Sequence, residues 1–234
     1  SVNDRPQWYT VEGGSRSYLG PLTRSFADRI RTSSPVTAVV RRDDGVTVQT
    51  QGQPPEPFDG VVLATHSDQA LAMLGDADDA ERAVLGAIPY QANDVVLHTD
   101  ASLLPRRRRA WAAWNYHLPA EPNPRATLTY CMNLLQGLPG DTIYNVTLNR
   151  TDAIDPAKVL RRFVYHHPVF DAAGVAAQAR VAEVGGRRRV WFAGAWCGFG
   201  FHEDGVQAAL RVAADFGLAE ASVPQVARVH EVAG

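Results

Sequence analysis

The sequence predicts an α/β fold, because short apolar strands precede helical patterns near both ends of the chain. Residues 61–64 and 190–192 are such strands. A strand without polar alternation is typical of a parallel sheet that is covered on both faces. The middle of the chain differs, since four segments there alternate apolar and polar residues between turns, which predicts an antiparallel sheet. As an isolated chain, the same pattern amounts to an α+β arrangement.

Local signals place the elements of the first part. Ser15 is a suitable cap for a helix that continues to Ile30 with apolar residues at helical spacing. A turn at residues 43–45 separates two strands of a sheet. The further predicted elements of this part are strands at 36–40, 46–50 and 61–64 and helices at 69–74 and 79–88.

The later elements divide the chain. Four predicted strands, at 94–97, 111–117, 126–132 and 142–148, would form the antiparallel sheet. Short helices are expected after Pro156 and over residues 173–180. We therefore predict a layered domain made of residues 1–72 and 166–234, the last dozen residues being a tail, with residues 73–165 inserted as a separate domain.

A glycine-rich bend joins the last predicted strand to the last long helix. Gly194, Gly198 and Gly200 lack the Cβ atom that keeps a backbone away from a ligand. Glu203-Asp204 can cap the helix that follows, and Gly217 is placed to end it. The free amides of such a helix start, together with the helix dipole, favour a partial negative charge.

This segment resembles the C-terminal, FAD-contacting segment of the flavin-containing amine oxidase and phytoene desaturase superfamily. The resemblance rests on Phe192-Ala193-Gly194 followed by residues 205–209, and on the order of residues 11–15, 35–36 and 61–65 before them. It is closest to an uncharacterised bacterial subgroup of FAD-binding oxidoreductases that is often encoded beside cyclopropane-fatty-acid synthases.

The resemblance implies an FAD cofactor and a set of contact residues. The main chain of Val36 would meet the adenine, and the start of the last helix would lie by the flavin N1 and C2 carbonyl, where charge collects when the ring accepts a hydride. The implied cofactor-binding residues are Val36, Ala64, Thr65, Gly194, Ala195, Trp196, Glu203, Asp204, Gly205 and Val206.

Two departures from the family pattern stand out. Ala195 and Trp196 occupy positions where many members carry an acidic or hydroxyl residue and then a glutamate, the usual ribitol contact. The Gly-x-Gly-x-x-Gly turn that binds the pyrophosphate is also missing from this sequence. The resemblance therefore implies the C-terminal part of a larger flavoprotein, whose N-terminal FAD-binding half was truncated, removed by proteolysis or encoded as a separate chain. We expect the isolated chain to bind FAD weakly or not at all and to be inactive.

The substrate is expected to be apolar. The tyrosine of the amine-binding aromatic cage aligns with Asp204, and Cys197 lies on the wrong side of the strand for covalent flavin attachment. We therefore favour a lipid acyl chain or a polyene. Trp111, Trp114 and Tyr116 are candidate substrate residues, although aromatic residues at strand spacing more often belong to the core. No side chain is assigned a catalytic role. A non-catalytic lipid- or partner-binding fragment and a flavin amine oxidase remain the alternatives.

Composition excludes several other classes. A net charge of −2 gives no reason to expect a nucleic-acid partner. Two widely separated cysteines, Cys131 and Cys197, fit neither a metal site nor a redox motif and favour a reduced, cytoplasmic protein. His166-His167 is a poor metal site, so no metal is expected. No apolar run approaches the ~20 residues of a transmembrane helix.

Overall fold

The computed structural model describes residues 9–118, 125–218 and 229–231. Helices and sheets are mixed along the chain, so the predicted α/β class is confirmed. The elements in chain order are β1 (Tyr9–Val11), α1 (Leu19–Thr23), β2 (Val36–Arg41), β3 (Val46–Thr50), β4 (Glu56–Phe58), β5 (Val61–Leu63), α2 (Ser67–Met73), α3 (Asp79–Leu85), β6 (Tyr90–His98), β7 (Trp114–Tyr116), β8 (Leu128–Cys131), α4 (Met132–Gln136), β9 (Asn145–Leu148), β10 (Val159–Pro168), α5 (Ala172–Gln178), α6 (Val181–Val184), β11 (Val190–Phe192), α7 (His202–Asp215) and β12 (Val229–Glu231).

The chain forms two compact units. Unit 1 contains the described residues within 1–30, 92–166 and 225–234, and unit 2 contains those within 31–91 and 167–224. The functional divisions at residues 72/73 and 165/166 stay predictions. None of the helices in the described ranges combines the length and the apolar character needed to cross a bilayer.

Unit 1 is built on a five-stranded sheet in the order β10-β6-β9-β8-β7. Residues that pair across neighbouring strands form rows, and successive rows point to opposite faces because side chains alternate along a strand. The two faces of this sheet differ in polarity. One face carries the apolar rows Leu97, Val146, Tyr130, Trp114 and Val95, Leu148, Leu128, Tyr116. The other face carries the mostly polar rows Val96, Thr147, Thr129, Asn115 and His98, Asn145, Cys131.

Hydrogen bonds satisfy most of the polar face of this sheet. His98 lies within 2.7 Å of the Thr147 hydroxyl, which in turn lies 2.9 Å from the Thr129 hydroxyl. All three side chains are buried. The Asp100 N–H donates to His98 Nδ1, and Asn145 donates to the Asp100 carbonyl. The buried face is thus polar and largely hydrogen-bonded, although the Asn145 Oδ1 atom has no partner among the described residues, while the apolar face is partly open.

Unit 2 combines a parallel pair of strands with an antiparallel sheet. β5 and β11 run parallel, with Leu63 opposite Phe192, and β2, β3 and β4 form the antiparallel sheet. Helix α3 begins with a capping box between Asp78 and Glu81. The apolar core of the unit consists of Val39, Val46, Leu63, Ala70, Met73, Leu74, Ala77, Val84, Leu85, Ile88, Val181, Val184, Val190, Phe192 and Trp196.

Three predictions about local structure are wrong. Ser15 does not cap a long helix: it begins a 3-10 turn after Gly14, and only residues 19–23 are α-helical. Pro21 has no N–H and cannot extend α-helical hydrogen bonding back to Ser17, and a turn at residues 24–26 ends the helix. Strand β5 is not covered on both faces, since Val62 is 40% exposed. The strand predicted over residues 111–117 shortens to Trp114–Tyr116.

The predicted tail is described only in part. Residues 229–231 form β12, which pairs antiparallel with β1. The rest of that prediction lies outside the described residues.

Candidate active site at the flavin-like bend

The carboxyl ends of β5 and β11 meet at one edge of unit 2. The Ala193 N–H donates to the Leu63 carbonyl at 3.1 Å, so the two chains leave the sheet side by side. Ala64 and Thr65 follow one strand, and Gly194 follows the other. This edge is where open α/β sheets bind their ligands.

The bend after β11 requires glycine at two positions. A Cβ atom on Gly194 would lie 2.7 Å from the Trp196 ring. One on Gly198 would lie 2.2 Å from the Asp204 carboxylate. Between these glycines, residues 195–197 form a 3-10 turn, and Gly200 adopts a φ of +92°. The predicted glycine-lined bend is therefore present, and its glycines mainly allow close contacts within the chain.

Trp196 fills the gap between the two strand ends. Its indole N–H donates to the Thr65 carbonyl at 3.0 Å, and the residue is only 4% exposed. It belongs to the apolar core of unit 2. Trp196 thus packs inside the protein, and a contact of its side chain with a cofactor stays a prediction.

Asp204 organises the start of α7. Its carboxylate accepts hydrogen bonds from the main-chain N–H groups of Phe199 (3.1 Å) and Phe201 (2.9 Å). The helix begins at His202, one residue before the predicted cap, and Asp204 caps it from within the first turn. Glu203 instead accepts a hydrogen bond from Gln207 at 2.7 Å. Both carboxylates also suit the positive end of the helix dipole.

Where α7 meets the bend, main-chain N–H groups of the described residues lack hydrogen-bond acceptors. A Cβ atom on Gly205 would have the Ala195 nitrogen, at 3.9 Å, as its nearest neighbour. Within the part of the chain that the structure describes, the Ala195 N–H has no hydrogen-bond acceptor. The first-turn N–H groups of a helix lack intrahelical acceptors as well. This small cradle, with Val206 exposed beside it, fits the carbonyl edge of a flavin ring.

The neighbouring thiol is not poised for covalent chemistry. Burial raises the pKa of the Cys197 thiol, and the nearby Arg211 only partly offsets this effect. The group therefore stays protonated near neutral pH, whereas nucleophilic attack needs the thiolate.

Two residues that the sequence did not indicate support this edge. Gln178 of α5 donates from its side-chain amide to the carbonyls of Trp196 (2.9 Å) and Gly198 (2.6 Å). The Tyr90 ring stacks on His66 at 4.5 Å, and its hydroxyl accepts from the Ser67 N–H at 2.9 Å. Burial raises the pKa of Tyr90, so the hydroxyl remains neutral. A glutamine in an alanine-rich helix carries no sequence signal for such a role.

The other predicted residues lie in different places. Val36 begins β2 in the antiparallel sheet of unit 2 and is 39% exposed. Trp114 and Tyr116 share the partly open apolar face of unit 1, where Trp114 meets Tyr130 edge to face at 5.8 Å. Trp111 is separate from them, because it lines a cavity with Cys131 and donates its indole N–H to the Pro105 carbonyl.

Sequence comparison finds a family model that matches the first part of the chain. Residues 2–108 match a family model described as flavin containing amine oxidoreductase. This match covers a little under half of the chain and supports the predicted resemblance to the flavin amine oxidase superfamily. A gene position beside cyclopropane-fatty-acid synthases stays a prediction. No curated protein sequence matches the chain.

Solved structures of three proteins share the fold of this chain. The fatty acid isomerase from P. acnes that produces CLA is 18% identical, with a TM-score of 0.60, over 87% of this chain and 52% of its own. Putrescine oxidase bound to putrescine is 12% identical, with a TM-score of 0.59, over 89% of this chain and 54% of its own. Cyclohexylamine oxidase from Brevibacterium oxydans IH-35A is 16% identical, with a TM-score of 0.56, over 87% of this chain and 53% of its own. The chain spans about half the length of these proteins.

Proposed function

We propose that this chain is the C-terminal part of an FAD-dependent oxidoreductase that transfers a hydride from an apolar, lipid-like or polyene substrate to the flavin. One observation carries the choice of substrate, namely the partly open apolar face of the unit 1 sheet. Soluble proteins rarely leave a contiguous apolar face uncovered, and such faces mark sites for ligands or partners.

The composition of this face suits a lipid better than an amine. Its exposed members include Trp114 (50%) and Tyr116 (63%), and the registered positions on the adjacent strands β8, β9 and β6 are also apolar or aromatic. Burial raises the pKa of Tyr130, so its hydroxyl adds no charge to the face. No carboxylate occupies these rows to hold an ammonium group, whereas apolar contact alone stabilises an acyl chain.

The residues at the bend would stabilise negative charge on the flavin and hold the main-chain donors in position. FAD, when bound, supplies the acceptor for the hydride. The Ala195 N–H and the first turn of α7 would donate hydrogen bonds where negative charge accumulates. Asp204 and Gln178 hold the backbone that presents these donors, and Gly205 leaves room in front of them. Loss of the hydride leaves the substrate carbon positive, so a proton must also leave the substrate, to solvent water, for a C=C bond to form. No side chain at this edge is assigned to accept that proton.

A second half of the FAD site is part of the proposal. A parallel sheet is stable when it has several strands and both faces covered, yet β5 and β11 form a two-stranded pair with Val62 exposed. Further strands and the pyrophosphate-binding glycines would come from an N-terminal FAD-binding segment. We also place the protein in the cytoplasm, which agrees with the free thiols of Cys131 and Cys197.

Flavin reduction under anaerobic conditions tests the function. The protein is tagged at its C-terminus at its own chromosomal locus, so that any preceding segment is retained, and is then mixed with oleate or a polyene. We expect bound flavin to bleach with these substrates, and Tyr116→Ser to raise KM. Tyr18→Ser, another exposed tyrosine of unit 1, is the matched control and should leave KM unchanged.

A second candidate is a flavin amine oxidase, which the likeness to putrescine oxidase and cyclohexylamine oxidase favours. The same experiment separates the candidates. Bleaching by putrescine or cyclohexylamine but not by lipids would favour the amine oxidase. A colourless protein that still binds oleate would favour a non-catalytic lipid-binding fragment.

A further inference from the structure

Unit 1 contains a cavity that the proposed function does not use. Its volume is about 380 Å³, at the small end of the range for small-molecule sites. The lining residues are Arg108, Trp111, Cys131, Asn133, Leu134, Leu138, Gly140 and Ile143.

This cavity lies on the side of the sheet opposite to the open apolar face. Cys131 lines the cavity and follows Tyr130 in β8, so the two side chains point to opposite faces. Tyr130 meets Trp114 on the open face. A ligand in the cavity would therefore be separate from a substrate on the open face.

Hydrogen bonds within the chain hold one wall of the cavity in place. The Asn133 side-chain amide donates to the Thr142 carbonyl at 2.9 Å, and its oxygen accepts from the Tyr144 N–H at 2.8 Å. Gly137 ends α4 in the left-handed conformation, with a φ of 62°. The loop that carries Leu138 and Ile143 is thus fixed without a ligand, and a preformed site loses less entropy on binding.

Another part of the lining carries positive charge. The Arg108 guanidinium lies 5.3 Å from the centre of the Trp111 ring, a cation–π contact that holds the charge at the cavity. The Trp111 indole N–H is itself fixed by its bond to Pro105 at 2.8 Å. In the described ranges, 9–118, 125–218 and 229–231, no carboxylate pairs with any of the four arginines from Arg106 to Arg109.

We propose that this cavity binds a small amphipathic carboxylate. The carboxylate would pair with Arg108, whose planar fork of N–H donors matches two carboxylate oxygens. The apolar body would lie against Trp111, Leu134, Leu138 and Ile143. The positive charge of Arg108 in the lining disfavours a cationic ligand, and the apolar lining makes a small inorganic anion a poorer occupant than an amphipathic carboxylate. This proposal does not depend on flavin binding.

Calorimetric titration with sodium decanoate, below its micelle concentration, tests the site. We expect one decanoate per chain, and Arg108→Gln to weaken its binding about 10-fold, as for a charge-assisted hydrogen bond. Arg106→Gln is the matched control, since Arg106 belongs to the same basic run but does not line the cavity, and should change affinity less than about 3-fold. Leu138→Glu, which brings a carboxylate to the lining, should abolish binding, whereas Leu160→Glu on exposed β10 should not.

Several outcomes would overturn the proposal. Equal binding of inorganic phosphate would show a simple anion site, and equal binding of decyltrimethylammonium would show that charge has no part. Binding to anionic phospholipid vesicles without binding to free decanoate would indicate a surface for headgroups. Loss of decanoate binding in Trp114→Gln, with Arg108→Gln unaffected, would place the ligand on the open face. A circular dichroism melt of each variant confirms that the fold is retained.

Discussion

The indole N–H of Trp196 donates a hydrogen bond to the main-chain carbonyl of Thr65 at 3.0 Å, across the carboxyl ends of two parallel strands. This bond joins the bend after β11 to the segment after β5. It therefore fixes the relative position of the two chain segments that form the candidate flavin edge.

Trp196→Phe should destabilise unit 2 by about 1–2 kcal/mol, because the Thr65 carbonyl loses its donor while the ring volume largely remains. Urea unfolding measures this change. Trp191→Phe is the matched control: its indole N–H bonds Asp215 in an exposed position at 3.1 Å, so its loss should cost less. Equal costs for the two variants would contradict the structural role given to Trp196.

Gln178→Ala should loosen the bend, since two carbonyls lose their shared donor. We expect a loss of about 1–3 kcal/mol in the free energy of unfolding and faster amide hydrogen exchange at residues 196–201. Gln207→Ala, which removes only an exposed bond to Glu203, serves as control. Unchanged exchange in Gln178→Ala would show that the bend does not depend on α5.

Glu81→Gln should be the most destabilising of these substitutions. Arg41 and Glu81 form an ion pair with both side chains almost fully buried, and Arg41 also pairs with Asp76 at 2.7 Å. Glu81→Gln leaves the buried Arg41 guanidinium with Asp76 as a carboxylate partner, so we expect a cost of at most about 3–5 kcal/mol, the range for a buried charge that loses its partner entirely. Arg31→Gln breaks an exposed pair with Glu56 and should leave the urea midpoint within experimental error. Similar midpoints for both variants would contradict this prediction.

The stability of unit 1 should fall as the pH drops through the ordinary range of histidine. Burial lowers the pKa of His98, which Asp100 only partly offsets, and burial followed by Arg150 lowers the pKa of His117. A lowered pKa means that the unfolded chain binds the proton first, so stability is full above about pH 6.5 and is lost below it.

His98→Gln tests this pH dependence. The variant should be less stable at pH 7.5, because the bonds to Thr147 and to the Asp100 N–H are disturbed, yet it should lose less stability between pH 7.5 and 5. Urea unfolding at the two pH values measures both effects. An unchanged pH dependence would show that His98 does not titrate on unfolding.

The sequence predicts the order of elements well, because apolar periodicity determines which segments are buried. The βα arrangement at Val61–Leu63 and Val190–Phe192, the antiparallel middle and the terminating Gly217 are all present, the last with a φ of +70°. The broken helix after Ser15 was not predicted, since local glycine and proline outweighed the spacing of the apolar residues. The exposure of Val62 was also missed, because a strand pattern does not show whether covering layers are present in the same chain.

The site is predictable only in part. Glycines mark the bend, since Gly194 and Gly198 are required by close contacts. The sequence does not show what fills those contacts, and here Trp196 and Asp204 do so. Gln178 lies far from the bend in sequence, and its role depends on tertiary packing alone. Likewise, Trp111 and Trp114 are three residues apart, yet in the structure Trp114 lies on the open face of the sheet and Trp111 lines the cavity.

The measurement that tests the flavin edge most directly is the flavin content of Gly205→Ala, purified from its own chromosomal locus beside the unmodified protein. The new methyl group would stand 3.9 Å from the Ala195 nitrogen, an ordinary contact that the fold tolerates, and alanine favours a helix by about 1 kcal/mol over glycine. We expect unchanged or higher thermal stability together with at least about 10-fold weaker flavin binding. Full flavin content and unchanged affinity in a stable Gly205→Ala protein would contradict the assignment of this edge to the flavin.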